Sequence, residues 1–233
     1  MYNRDYLSNQ SSQYTQESSQ IQLMSFLKAT YQLFAGSLLA ATAGAYIGLG
    51  IVSILMGPMK WVLFAVELAL IFFVIPRVKH TPGVNLAVLF AFTFITGLTI
   101  APLLASIFAM PSGASIVGQA FLMTSVAFGA ISMFAMTTKR DFSSMGKFLF
   151  IALIIMIVAG ISNIFIQSSM MQLAIASVGA LVFSAFILYD TQNIIRGGYD
   201  SPIEASLALY LDFFNLFVSL LQILGIMNSG DKE

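Results

Sequence analysis

Read as a pattern of apolar and polar positions, the chain shows neither the two-residue period of strands nor the one-sided stripe of a soluble helix. It shows long runs that are apolar all round, cut by short polar breaks. Three stretches carry no Asp, Glu, Lys or Arg: Ala29–Met59, Thr81–Thr138 and Phe148–Tyr189. A membrane helix needs about 20 mostly apolar residues to cross about 30 Å of hydrocarbon. Unpaired backbone cannot sit in lipid, so such runs are read as helices. The breakers predict seven spans: about Ala29–Leu55, ended by Gly57-Pro58; Met59–Pro76; Val84–Phe108; Ala114–Thr137; Gly146–Gln167; Met170–Ile195; and Ile203–Met227, opened by Pro202. The fold class expected is an all-α polytopic bundle, with residues 28–228 as one transmembrane domain. Residues 1–27 are rich in Gln and Ser and have no apolar period, which predicts a disordered polar tail. They lack the layout of a signal peptide. Residues 229–233 are read as a short C-terminal tail.

Composition sharpens this. Of the 233 residues 58% are hydrophobic and 9% charged, against roughly 25% charged in a soluble domain. So few charges cannot cover a soluble fold, which excludes a soluble enzyme, a nucleic-acid binder and a disordered chain. The absence of Cys excludes disulfides, thiol catalysis and thiolate metal sites, and His80 is the single histidine. The partner these numbers imply is the lipid bilayer; nothing in them names a protein partner.

Charge also gives the orientation. With the N-terminus inside, the inner segments hold Arg4, Lys28, Arg77, Lys79, Lys139, Arg140, Lys147 and Arg196, against Lys60 and Lys232 outside. The positive-inside rule then predicts N-in and C-out. That orientation argues against a G-protein-coupled receptor. A retinal protein is disfavoured too, since helix seven has no Lys.

Ionisable side chains at membrane depth are costly, about 2.5–3.5 kcal/mol on insertion scales, and are functional candidates by default. Asp190 falls about 8–9 Å from the inner end of helix six, and Asp212 about 13 Å into helix seven, at 1.5 Å per residue. The short connection makes these helices antiparallel neighbours, so both carboxylates lie in the inner half. Arg77 ends helix two on the same side and can reach inward. Two carboxylates in a dry bundle cannot easily both ionise, and they titrate as a unit. With a guanidinium near, this is the chemistry of a pH-responsive latch. An interhelical bridge that only fixes packing is the alternative.

Asp212, Asn215, Ser219 and Gln222 are spaced 3, 4 and 3, which puts them within about 80° of one helix face. Such a stripe can line a water or ion path, or bond neighbouring helices. Its oxygen ligands suit a hard cation such as Ca²⁺, with Asp190 and Asp212 as the candidate contacts. Glu67, mid-span in helix two, either touches the path or is protonated and hydrogen-bonded. Asn163 in helix five reads as packing, as do Gly44, Gly48 and Gly50 in helix one. His80 reads as a solvated loop residue.

Seven spans, Ile187-Leu188-Tyr189-Asp190 closing helix six, and Ala208-Leu209-Tyr210-Leu211-Asp212-Phe213-Phe214-Asn215-Leu216-Phe217 in helix seven together resemble the Bax inhibitor family. The resemblance covers about residues 28–228, and the helix-seven segment is its most specific part. It implies a seven-helix bundle around a central seventh helix and a pH-gated Ca²⁺ leak channel. It also implies that Asp190 and Asp212 form a carboxylate pair bridged by Arg77. The short loops resemble a bacterial member, which implies the inner membrane. Eukaryotic members modulate cell death, for which this chain offers no feature. Calcium and protons are then the cargo and signal, no tightly bound cofactor is expected, and the protein is not expected to be an enzyme.

Two rival readings come from other classes. A proton-coupled cation transporter also uses carboxylate pairs. An intramembrane aspartyl protease also pairs Asp on helices six and seven, the first in a Tyr-Asp motif as at Tyr189-Asp190. However, its second Asp follows Gly-x-Gly, where this chain has Leu209-Tyr210-Leu211, and its Pro-Ala-Leu motif is absent. A rhomboid-type serine protease fails for want of a His in helix six. A scaffold for other membrane proteins has no feature for or against it.

Overall fold

The computed structural model describes the backbone of residues 2–230 and the side chains of residues 19–229. Seven helices are long and apolar enough to cross a membrane: α1 (Ser19–Gly50), α2 (Met59–Val78), α3 (Val84–Phe108), α4 (Gly113–Thr137), α5 (Met145–Ile166), α6 (Ser169–Ile195) and α7 (Pro202–Ser229). The last five begin and end within two residues of the predicted spans. Pro202 opens α7 at the first helical position, where its missing N–H leaves no bond unmade.

Three departures have local causes. First, the span predicted to reach Leu55 stops at Gly50, and Val52–Leu55 forms a separate turn. Second, α2 runs past Pro76 to Val78, with Leu70–Val74 in a π-helical turn. Proline lacks an N–H and its ring crowds the carbonyl one turn earlier. The wider π turn just ahead of it relieves that conflict. Third, the segment read as a tail over 1–27 is drawn as helix, because α1 continues back to Tyr2. No Gly or Pro precedes Gly36, so nothing stops a helix propagating backward from the packed span. The short C-terminal tail largely falls on residues 231–233, outside the described residues.

The seventh helix is central. It packs against α6, α1, α4 and α3, whereas α2 packs on α3 and the turn before it, and α5 packs on α6 alone. The windows of α2 and α5 are only 6% buried. Large apolar side chains such as Phe148, Phe150, Ile155 and Phe165 face outward there, as a bilayer requires. Buried side chains cluster where α1, α3, α4, α6 and α7 meet, around Phe34, Phe92, Phe128, Ile187, Leu209 and Tyr210.

Small residues set the closest approach. A Cβ on Gly44 would strike the Phe94 carbonyl, and one on Gly97 would strike the Ala41 carbonyl, so α1 and α3 cross at backbone contact. Gly48 meets Ala101 in the same seam, while Gly50 has open space around it. The packing reading of these glycines therefore holds at Gly44 and Gly48.

Candidate functional site

Helix α6 ends at Ile195, and Gly197 follows with φ +73°. That left-handed turn suits glycine, and it lets Gly198 N–H bond back to the Asn193 carbonyl at 2.7 Å. The chain folds over the helix end and drops Tyr199 onto Asp190. The Tyr199 hydroxyl donates to Asp190 Oδ1 at 2.7 Å. Ser201 Oγ then accepts from Ile203 N–H and Pro202 starts α7. A six-residue connection thus returns the chain antiparallel and brings Asp212 opposite Asp190.

Asp190 is 7% exposed and Asp212 is 4% exposed. The two carboxyls lie close enough to influence one another, and Asn193 is also near Asp190. Asp212 Oδ2 is buried without a hydrogen-bond partner among the described residues. No cation reaches either carboxylate there: the ion pairs are Lys79 with Asp200 and Glu204, and Arg196 with Asp141. Buried polar atoms are normally bonded, and an orphan calls for a proton, a water or an ion. Thr30 Oγ1 and Ser37 Oγ on α1 are orphaned in the same way. Beside Asp212, Phe213 meets Phe34 of α1 and Phe128 of α4 at 5.8 and 5.6 Å between ring centroids.

The structure does not bring Arg77 to the carboxyls, which corrects the expected latch. Its guanidinium bonds to the Phe73 carbonyl and lies over the Phe73 ring, exposed on its own helix. The irregular turn before Pro76 offers it a nearer acceptor on its own helix. Tyr199 is the donor found on Asp190 instead. Burial, and then the Asp190 charge, push its hydroxyl far above the usual tyrosine range. It therefore remains a proton donor throughout the working pH range. Tyr199 lies in a loop with no motif around it; the Gly197-Gly198 pair, a turn signal, was the available hint.

The remaining stripe is mixed. Asn215 Nδ2 donates to its own helix at the Leu211 carbonyl, 2.7 Å away, which leaves its side-chain oxygen as a free acceptor. Ser219 is buried, and a Cβ on Gly179 would sit 2.7 Å from its Oγ, so α6 and α7 pack closely at Ser219. Gln222 is half-buried and accepts from Gln172 Nε2 at 2.8 Å. Gln172 in turn accepts from Asn163 at 2.9 Å, so Asn163 joins α5 to α6. Gln222 also lines a cavity of about 250 Å³ at the far end of the bundle, with Ser106, Gln172 and Ser229.

Glu67 lies elsewhere. Thr99 Oγ1 donates to its Oε1 at 2.6 Å across the α2–α3 seam. One turn along α3, Thr96 bonds the buried Tyr210 hydroxyl of α7. Among the described residues no group of three or more His, Cys, Asp or Glu could hold a metal ion. The site is a pair of buried carboxyls.

The family model described as inhibitor of apoptosis-promoting Bax1 matches residues 23–229. An uncharacterized protein of Campylobacter jejuni is 52% identical, over 98% of this chain and 99% of its own length. An uncharacterized membrane protein of Vibrio cholerae is 42% identical, over 88% of this chain and 91% of its own. A Golgi anti-apoptotic protein of vaccinia virus is 39% identical, over 64% of this chain and 62% of its own.

Proposed function

The chain belongs to the Bax1-inhibitor family, and from that premise we propose that it is a pH-responsive Ca²⁺ leak pathway of the bacterial inner membrane, with its N-terminus cytoplasmic. The observation that carries this reading is the buried Asp190–Asp212 pair, with an orphaned oxygen and, among the described residues, no cationic side chain paired with it. Two full negative charges in so dry a place would be strongly unfavourable. The pair therefore holds a shared proton or meets a cation, and the two compete for the same oxygens.

Tyr199 takes the part expected of Arg77. A phenol grips an ionised carboxylate more tightly than a neutral carboxyl. Protonation of the pair loosens Tyr199 and frees the α6–α7 turn; deprotonation tightens it. Beyond the pair, the free oxygen of Asn215 and the Gln222 cavity give oxygen contacts along α7. The Phe34–Phe128–Phe213 junction is the apolar barrier that a conducting state must part.

The test is purified protein in liposomes, with Ca²⁺ uptake followed from about pH 6 to 8, where histidine-range switches act. Uptake above protein-free vesicles that changes with pH supports the reading; none at any pH ends it. A shared proton also suits proton-coupled cation exchange. Uptake that persists with the proton gradient collapsed separates a leak from exchange.

A further inference from the structure

Lys79 follows the last turn of α2, and its ammonium meets two carboxylates of the α6–α7 connection. Glu204 Oε1 is 3.0 Å away and Asp200 Oδ2 3.4 Å away. The Lys79 and Glu204 side chains are 22% and 26% exposed, whereas Asp200 is 75% exposed. The backbone of Lys79 is pinned as well, since Asn85 in the first turn of α3 donates to its carbonyl at 3.1 Å. The α2 side chains Leu70, Ile71 and Ile75 join the apolar core, and among the described residues this ion cluster is the charged link from the end of α2 to the segment that carries Tyr199.

We infer that Lys79 is a positioning residue, which clasps Asp200 and Glu204 and so holds Tyr199 closed over the Asp190–Asp212 pair. The inference rests on the leak reading of that pair, but its structural half stands alone. Asp200 is the residue after Tyr199, and Glu204 lies in the first turn of α7. Fixing both leaves Tyr199 little freedom to leave Asp190. Exposed ion pairs bias an equilibrium by no more than about fivefold each, so the clasp tunes the closure rather than locking it. Glu204, nearer and more covered, is the stronger arm.

The groups around the Tyr199–Asp190 contact are few. Asp212 faces it from α7 and Tyr189 from α6 itself. Ser132 of α4 bonds Thr191, next to Asp190, and meets Tyr31 of α1. Gly146 of α5 packs on the Tyr189 ring. The clasp adds Lys79, Asp200 and Glu204.

The experiment pairs backbone hydrogen exchange over residues 197–204, in nanodiscs, with Ca²⁺ uptake in liposomes. Lys79→Met should speed exchange of that segment about threefold to fivefold and raise uptake at pH 8 by a similar factor. Glu204→Gln should do more than Asp200→Asn, and Lys79→Arg should behave as wild type. Lys79→Glu should open the segment, and adding Glu204→Lys should close it again. Unchanged exchange in Lys79→Met, or no rescue by the charge swap, overturns the clasp. Faster exchange with an unchanged pH profile of uptake overturns its control of the pair. Absence of Ca²⁺ uptake in the wild type overturns the leak reading alone, since the exchange arm still decides the clasp.

Discussion

Among the described residues Asp212 Oδ2 has no partner, while Asp190 Oδ1 has the Tyr199 hydroxyl; this asymmetry makes the two carboxyls unequal. Asp190→Asn and Asp212→Asn should both flatten the pH dependence of Ca²⁺ uptake across about pH 6–8, because either removes the shared titration. Asp212→Asn should also conduct less, since it deletes the oxygen that starts the α7 stripe. If both variants kept the wild-type profile, the pair would be interhelical packing only. Tyr199→Phe removes a hydrogen bond to a charged group, worth about 1.5–3 kcal/mol. At about 1.36 kcal/mol per pH unit, and with the phenol half-buried, the midpoint of uptake should move up by about one pH unit. An unmoved midpoint would remove Tyr199 from the switch. Lys79 behaves differently: the Glu204 hydrogen bond, and then the surrounding carboxylates, hold its ammonium above the usual lysine range. Its contribution is complete below the unfolded value of about 10.4 and fades only as pH rises through the higher folded value. The clasp therefore keeps its charge from pH 6 to 8, where salt rather than pH should loosen it. Asp141 has the opposite sign. The Ser143 amide, and then Arg196, hold it below the usual range, so its contribution is lost only as pH falls below about 3.9.

Among the helices, α1 and α3 are tightly constrained, with backbone atoms in the way of a Cβ on Gly44 or Gly97. Gly97→Val would drive a branched side chain into the Ala41 carbonyl, a backbone atom that cannot rotate away. Overpacking of this kind costs about 1–3 kcal/mol or more. The variant should lose several degrees of melting temperature in detergent, whereas Gly50→Ala, with nothing near it, should lose none. Equal melting of the two would mean that the α1–α3 seam is loose. Ser219→Leu is a poor probe of a path, because Gly179 leaves it no room. Gln222→Leu is the better probe, since its side chain already borders a cavity. It should lower Ca²⁺ uptake with little effect on melting, and unchanged uptake would return Gln222 to a packing role. The π turn at Leu70–Val74 shows how one proline reshapes an element, and it explains why Arg77 ends on its own helix.

For the whole molecule the open quantity is its direction in the bilayer. The eight-to-two distribution of Lys and Arg predicts that a reporter after Glu233 reads as extracytoplasmic and one within Lys139–Asp141 as cytoplasmic. A cytoplasmic C-terminus would place the carboxyl pair and the Lys79 clasp on the outer side. The 4–5 connection is well held at that end. Gln192 accepts from the Phe142 amide at 3.0 Å and donates to the Arg140 carbonyl at 2.8 Å, and Arg196 pairs with Asp141. A reporter inserted there should therefore follow the turn without freeing the α6 end.

The sequence by itself determined the number of spans, the limits of the last five and the relative height of the two aspartates along their helices. Hydrocarbon permits only long apolar helices, and a charge inside them is conspicuous. Asp190 and Asp212 could be paired on paper because a short connection between antiparallel helices fixes their relative height. Partners across the bundle were a different matter. Arg77 and Lys79 are two residues apart at one helix end, and which of them reaches α6–α7 depends on how that end is turned. Tyr199 falls on Asp190 only because Gly197 turns left-handed and folds the loop back. Glu67 meets Thr99 because of the way α2 lies on α3. Period and composition fix how a helix sits along the membrane normal; its rotation and its neighbours are set by packing, so the partners of the carboxyls emerged only with the tertiary structure.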